Sequence, residues 1–184
     1  MAERWRIRVK GIVQGVGFRP FVYNLARRFQ LGGYVLNDGA GVLIEVEGET
    51  AAAKAFITAL REEAPPLAAV TELTSQRCPL QGERDFHIRT SQADLAPTAL
   101  VAPDVATCPE CQQELLTESD RRYRYPFINC TNCGPRYTII EALPYDRANT
   151  TMREFIMCPM CQAEYEDPAN RRFHAQPNAC PVCG

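Results

Sequence analysis

The stretch VKGIVQGVGFRPF at residues 9–21 decides how the chain begins. Just upstream, Trp5, Ile7 and Val9 alternate with Arg4, Arg6, Arg8 and Lys10, the two-residue period of a half-buried strand. Downstream, Phe21, Leu25 and Phe29, with Val22 and Ala26 beside them, recur at helical spacing. The helix is expected to open at Pro20, where a missing N–H costs nothing. Between them Gly11, Gly15 and Gly17 read as one glycine-rich connection. The first unit is therefore strand, loop, helix.

Working outward, GYVLND and GVLIEVEG read as two strands around a turn at residues 38–41, and 51–61 as a helix with Ala55, Phe56 and Leu60 on one face. Two further strand-like stretches lie at 70–77 and 86–89. The order β-α-β-β-α-β is that of a split βαβ, ferredoxin-like α+β sandwich. That topology hosts many functions and settles none of them.

The composition bounds what the chain can do. With 184 residues, 46% hydrophobic, it can hold one ordinary domain and something smaller. A net charge of −2 supplies no global basic field, so neither nucleic acid nor an anionic membrane is expected as a partner. No apolar run approaches the roughly 18 residues of a membrane span, which leads us to expect a soluble, cytoplasmic protein. Eight of the nine cysteines fall in Cys-x-x-Cys pairs, and without an export signal these favour metal binding over disulfides. Cys78, the ninth, reads as an ordinary buried or half-buried thiol.

A glycine turn between strand and helix can aim successive peptide N–H groups at an anion, with the positive end of the helix behind them. The cradle is expected to comprise Gln14, Gly15, Val16, Gly17, Phe18 and Arg19, with Arg19 supplying a fork for phosphate oxygens. No G-x-x-x-x-G-K-[ST] is present and the third glycine of the dinucleotide fingerprint is missing, so this is not a nucleotide loop. A bare glycine turn beside a solvated arginine is the plainer reading. The whole string from Val9 to Arg19, together with Gly33-Tyr34-Val35-Leu36-Asn37 and Gly41, resembles the two signatures of the acylphosphatases. That resemblance spans residues 4–90. It implies that Arg19 binds the phosphate and that Asn37 orients the attacking water. Leu43 departs from the valine of the family pattern and is expected to alter strand packing only.

The chain changes character near residue 92. We read residues 1–91 as the acylphosphatase-like domain, 92–104 as a linker, and 105–134 and 155–184 as two fingers separated by a connector, 135–154. Cys108, Cys111, Cys130 and Cys133 are repeated fifty residues later as Cys158, Cys161, Cys180 and Cys183. CPECQ answers CPMCQ, and Arg121-Arg122-Tyr123 answers Arg171-Arg172-Phe173, so the region is an internal duplication. Four thiolates complete a tetrahedron and leave no open position, so two structural Zn²⁺ sites are expected. The arginine pairs are placed to offset the charge. Sequential and interleaved pairing of the knuckles both remain open. His174 could replace a thiolate but is read as packing or partner-binding, and Ile139, Ile140 and Phe155 as apolar residues able to join the two fingers.

PDVATCPECQQEL, DRRYRYPFINCTNCGPRYTII, LPYDRANTTM and EYEDPANRRFHAQPNACPVCG resemble the N-terminal part of the HypF carbamoyltransferases, maturation proteins of nickel–iron hydrogenases. The resemblance implies carbamoyl phosphate as substrate. It further implies ATP, used by downstream domains missing from this chain, and transfer of the carbamoyl group to a HypE-type acceptor protein by the full-length protein. The alternative from another class is a finger module that binds protein or RNA, with a non-catalytic anion site.

Overall fold

The computed structural model describes residues 1–92 and 99–182. Its first part is built from β1 (Ala2–Gln14), α1 (Phe18–Arg28), β2 (Gly32–Asp38), β3 (Gly41–Glu49), α2 (Thr50–Glu62), β4 (Ala69–Cys78) and β5 (Phe86–Ile88). The sheet runs β4-β1-β3-β2-β5. β1 is antiparallel to both β3 and β4, and β5 is parallel to β2. This is the expected split βαβ sandwich with one short strand added at the edge.

The core lies between one face of the sheet and the two helices. Ile7, Val9, Val22, Ile44, Phe56 and Leu60 have no exposed surface there. On the other face the alternation of β1 hides an exception, because Arg4 is only 1% exposed. Its guanidinium is paired with Glu45, Glu47 and Glu83 at 2.6–2.9 Å. Glu47 is held in turn by the backbone N–H groups of Gln81 and Gly82. The loop before β5 thus closes over what the two-residue period marks as a solvated face.

Two expectations about the opening stretch are corrected. Gly11 is not in the loop: it lies inside β1, at a register shift against β4, with φ +120°. A Cβ there would stand 2.0 Å from the Ala69 carbonyl oxygen, so this glycine serves close strand pairing. The helix opens at Phe18 rather than Pro20, capped by the backbone of Gly17. Its first hydrogen bond runs from the Phe21 N–H to the Gly17 carbonyl, so Pro20 still falls among the first N–H positions that have no helical partner.

Beyond β5 the chain is mostly turns. Leu100–Val101, within the stretch read as a linker, forms β6 and pairs in parallel with the end of β1. Two short helices follow, α3 (Pro109–Leu116) and α4 (Pro159–Glu166), one in each repeat and fifty residues apart. Within the connector Tyr145, Thr150 and Met152 are buried, whereas Phe155 at its edge is 45% exposed.

Candidate active site and metal centres

The cradle forms where β1 meets α1. Gly15 and Gly17 both take φ near +73°, the left-handed region that suits glycine, and Gly17 caps the helix without a side chain. Among the described residues, no internal acceptor takes the N–H groups of Gly15, Val16 or Gly17. With the N-terminal turn of α1 they present a ring of donors to an anion. Val16 and Phe18 are buried beneath it and hold the turn to the core. Gln14 does not point its side chain at the cradle. Its amide donates to the carbonyls of Asp38 and Gly41 at 2.8 and 2.9 Å, and its oxygen accepts the Tyr145 N–H at 2.9 Å. Its carboxamide is therefore a brace between the β2–β3 turn and the connector, not an anion ligand.

Asn37 stands at the end of β2, opposite Val42 on β3, and is 1% exposed. Neither its side-chain oxygen nor its nitrogen has a partner. Such a group is costly inside a protein unless a water or ligand satisfies it. It faces a cavity of about 20 Å³, enough for one water, which Gly15, Gly17 and Arg19 also line. Leu43 pairs with Leu36 and so lies on the opposite face of the sheet from Asn37, in keeping with a packing role.

The remaining wall comes from the finger region: Thr131, Tyr145, Phe173 and His174. Tyr145 is 1% exposed, and a Cβ on Gly15 would lie 2.7 Å from its ring. Arg19, 7% exposed, donates to Ser91 Oγ at 3.3 Å and to Asp146 Oδ1 at 2.8 Å. Burial pushes the Asp146 carboxyl up, but the Arg19 charge and hydrogen bonds from Ser91 and Arg19 outweigh it and hold it below the usual range. Burial, and then the Arg19 charge, push His174 down to about 4, so its imidazole is neutral at pH 7. On the outer side of Arg19 a groove of about 740 Å³ opens between α1, β5 and the connector.

The cysteines pair within repeats, not between them. The sulfurs of Cys108, Cys111, Cys130 and Cys133 all lie within 4.8 Å of one another, and so do those of Cys158, Cys161 and Cys180. Cys183 lies outside the described residues. The Cys108–Cys130 and Cys130–Cys133 sulfur separations, 3.5 and 3.9 Å, bracket the edge of about 3.8 Å of a tetrahedron with 2.3 Å metal–sulfur bonds. The first set therefore fits a four-thiolate metal.

The arginines serve the opposite repeat. Arg171 donates to Cys111 Sγ at 2.9 Å and pairs with Glu114, while Arg121 donates to Cys161 Sγ at 3.4 Å and pairs with Glu164. Arg122 and Arg172 join the same carboxylates. This swap makes the two fingers one body. It also commits all four arginines to internal acceptors.

Residues 5–88 match the acylphosphatase family, and 107–140 and 157–184 match the HypF finger. The carbamoyltransferase HypF of Rhodobacter capsulatus is 58% identical over 99% of this chain. The chain belongs to the HypF family. It spans 24% of that HypF, about a quarter of the relative's length. An acylphosphatase of Thermotoga petrophila is 40% identical over 46% of the chain, which covers 93% of that smaller protein. A crystal structure of full-length HypF in the phosphate- and nucleotide-bound form superposes on the whole chain with TM-score 0.94 at 49% identity, and the chain covers 24% of it. HypF of T. kodakarensis gives 0.85 at 52% identity, over 99% of this chain and 23% of that one.

In this chain the structure brings Arg19, Asn37 and the glycine turn together around one cavity and adds Tyr145, Asp146, Ser91 and His174. Those four were missed because they come from outside the acylphosphatase motifs. One signal was available: His174 replaces Arg124 at the same place in the repeat. Among the described residues no helix is long and apolar enough to cross a membrane.

Proposed function

We propose that this chain cleaves carbamoyl phosphate as the first step of a carbamoyltransferase that makes the cyanide ligand of nickel–iron hydrogenases. The observation that carries the reading is the Asn37 carboxamide, buried and unpartnered in a cavity shared with Arg19 and the glycine turn. An acyl phosphate is already activated, so its hydrolysis needs a placed water and stabilised charge more than a strong base. Arg19 and the N–H groups of the turn hold the phosphoryl oxygens. Asn37 accepts from a water and aligns it with phosphorus. The water oxygen bonds to phosphorus as the bridging P–O bond breaks, and phosphate and carbamate leave. In the full protein, later domains use ATP to activate the carbamoyl group and pass it to a HypE-type acceptor.

The cysteine sets are proposed to hold one Zn²⁺ each, with Cys183 as the fourth ligand of the second. Closed four-thiolate sites are structural, and zinc would supply roughly 10–16 kcal/mol of folding free energy at each. The test is release of inorganic phosphate from carbamoyl phosphate by the zinc-loaded chain, with Asn37→Ala and Arg19→Ala alongside. Release that either substitution reduces by about 100-fold or more supports the reading. Release that survives both, or its absence from the folded unmutated chain, overturns it.

A further inference from the structure

An acylphosphatase of the smaller kind consists almost wholly of the part matched here by 46% of the chain, so it carries no counterpart of the finger region. In this chain that region supplies one side of the cavity. Two of the contributors are immobilised from several directions. Tyr145 is bonded through its N–H to Gln14, and its ring packs where Gly15 lacks a side chain. His174 is stacked on Phe173 at 4.0 Å between ring centroids and on Tyr165 at 5.2 Å, and its N–H donates to the Tyr165 carbonyl. Its Nδ1 is buried without a partner, as is the hydroxyl of Tyr145.

The duplication provides an internal comparison. Fifty residues earlier, Arg124 occupies the turn equivalent to that of His174, with φ +59° against +51° and the same N–H bond, to the carbonyl of Leu115. The left-handed backbone therefore belongs to the repeat, not to the site. The side chains are what differ: Arg124 is exposed, and Tyr123 is 39% exposed where Phe173 is 4%. Only the second copy turns an aromatic pair of side chains onto the cradle.

We infer that His174, backed by Phe173 and lining the cavity together with Tyr145, is a specificity-determining residue that limits the site to acyl phosphates with a small acyl group. This rests on the proposed acyl phosphate chemistry and adds the size limit to it. With room for one water between the walls, an entering substrate must displace side chains, and a clamped Tyr145 and a doubly stacked His174 yield little. The cradle holds the phosphoryl group common to all such substrates. Discrimination falls to the wall contributed by the fingers.

The test compares kcat/KM for carbamoyl phosphate and benzoyl phosphate in the zinc-loaded chain and in His174→Ala, Tyr145→Ala and Arg124→Ala. The expected result is a rise of about tenfold or more in the benzoyl-to-carbamoyl ratio for His174→Ala, mostly through a lower KM for benzoyl phosphate, about 1.4 kcal/mol. Arg124→Ala should leave the ratio unchanged. Zinc content and circular dichroism identify a variant that has lost its fold, and Tyr145→Ala opens the same wall at a second point, another route to the same shift. An unchanged ratio in folded His174→Ala, or an equal rise in Arg124→Ala, overturns the inference. Should the unmutated chain cleave neither substrate, the hydrolytic reading fails by itself. The wall is then read by calorimetry with methylphosphonate and phenylphosphonate. Tighter phenylphosphonate binding only in His174→Ala and Tyr145→Ala upholds it, and equal binding in all variants refutes it.

Discussion

Asn37 places a carboxamide where it has no partner within the chain, an arrangement that costs roughly 1–3 kcal/mol for each unsatisfied atom until a water or substrate supplies the bonds. Removing it should therefore separate stability from function: Asn37→Ala is expected to keep or raise the melting temperature by a few degrees while phosphate release is lost. Asp146 acts on the other member of the pair. Its carboxylate holds the Arg19 fork that phosphate needs, so the incoming dianion meets a like charge. Asp146→Asn should tighten competitive inhibition by inorganic phosphate several-fold, and an unchanged inhibition constant would show that the pair only orients Arg19. His174 titrates the same corner. Its pKa is about 4 in the folded chain against 6.5 for an ordinary histidine, so below pH 6.5 the unfolded chain binds a proton that the folded chain refuses. Stability that is full above pH 6.5 is lost as pH falls towards 4, by up to about 3 kcal/mol from this group. Denaturant midpoints for the unmutated chain and His174→Asn at pH 7 and pH 4.5 should differ in that direction, with the smaller fall in the variant.

At the scale of elements, the glycines of the opening stretch divide by what presses on them. Gly11 belongs to strand pairing: its φ of +120° and the Ala69 carbonyl leave no place for a Cβ, so Gly11→Ala should cost about 3 kcal/mol, at the upper end for a single substitution. Gly15 belongs to docking, because what a Cβ would meet is the ring of Tyr145 from the connector. Gly15→Ala should leave the sheet folded yet loosen the fingers from it. Limited proteolysis that cuts the connector faster, with little change in circular dichroism, would register this.

Across the whole molecule, the exchange of arginines between repeats ties each cysteine set to the other. A bond from a guanidinium to a thiolate is worth roughly 1.5–3 kcal/mol, the order of 10 to 100 in metal affinity. Arg171 sits in the second repeat but donates to Cys111 of the first. Arg171→Ala should therefore speed chelator removal of zinc from the first site more than from the second, read as a faster early phase in a metal-release assay. A uniform effect on both phases would mean that the arginine acts through general folding. The fingers in turn hold the site wall, so metal removal should also relax the barrier to larger acyl phosphates.

Much of this was legible in the chain because it rests on local regularities. The strand period before residue 10, the helical spacing from Phe21 and the fifty-residue repeat of cysteines each follow from short-range geometry that a sequence carries directly. The pairing of Arg19 with Asn37 came from motif resemblance. The charge alternation of β1 misled at Arg4, because a loop eighty residues away covers that face. Which knuckles share a metal, which repeat each arginine serves, and that Tyr145, Asp146 and His174 stand around Arg19 were not written in any local pattern. Those contacts join residues from about twenty to more than one hundred positions apart, and their partners are chosen by how the duplicated fingers pack against each other and against the sheet. Local periodicity determined the elements and the chemistry they carry, and only tertiary packing decided what faces that chemistry.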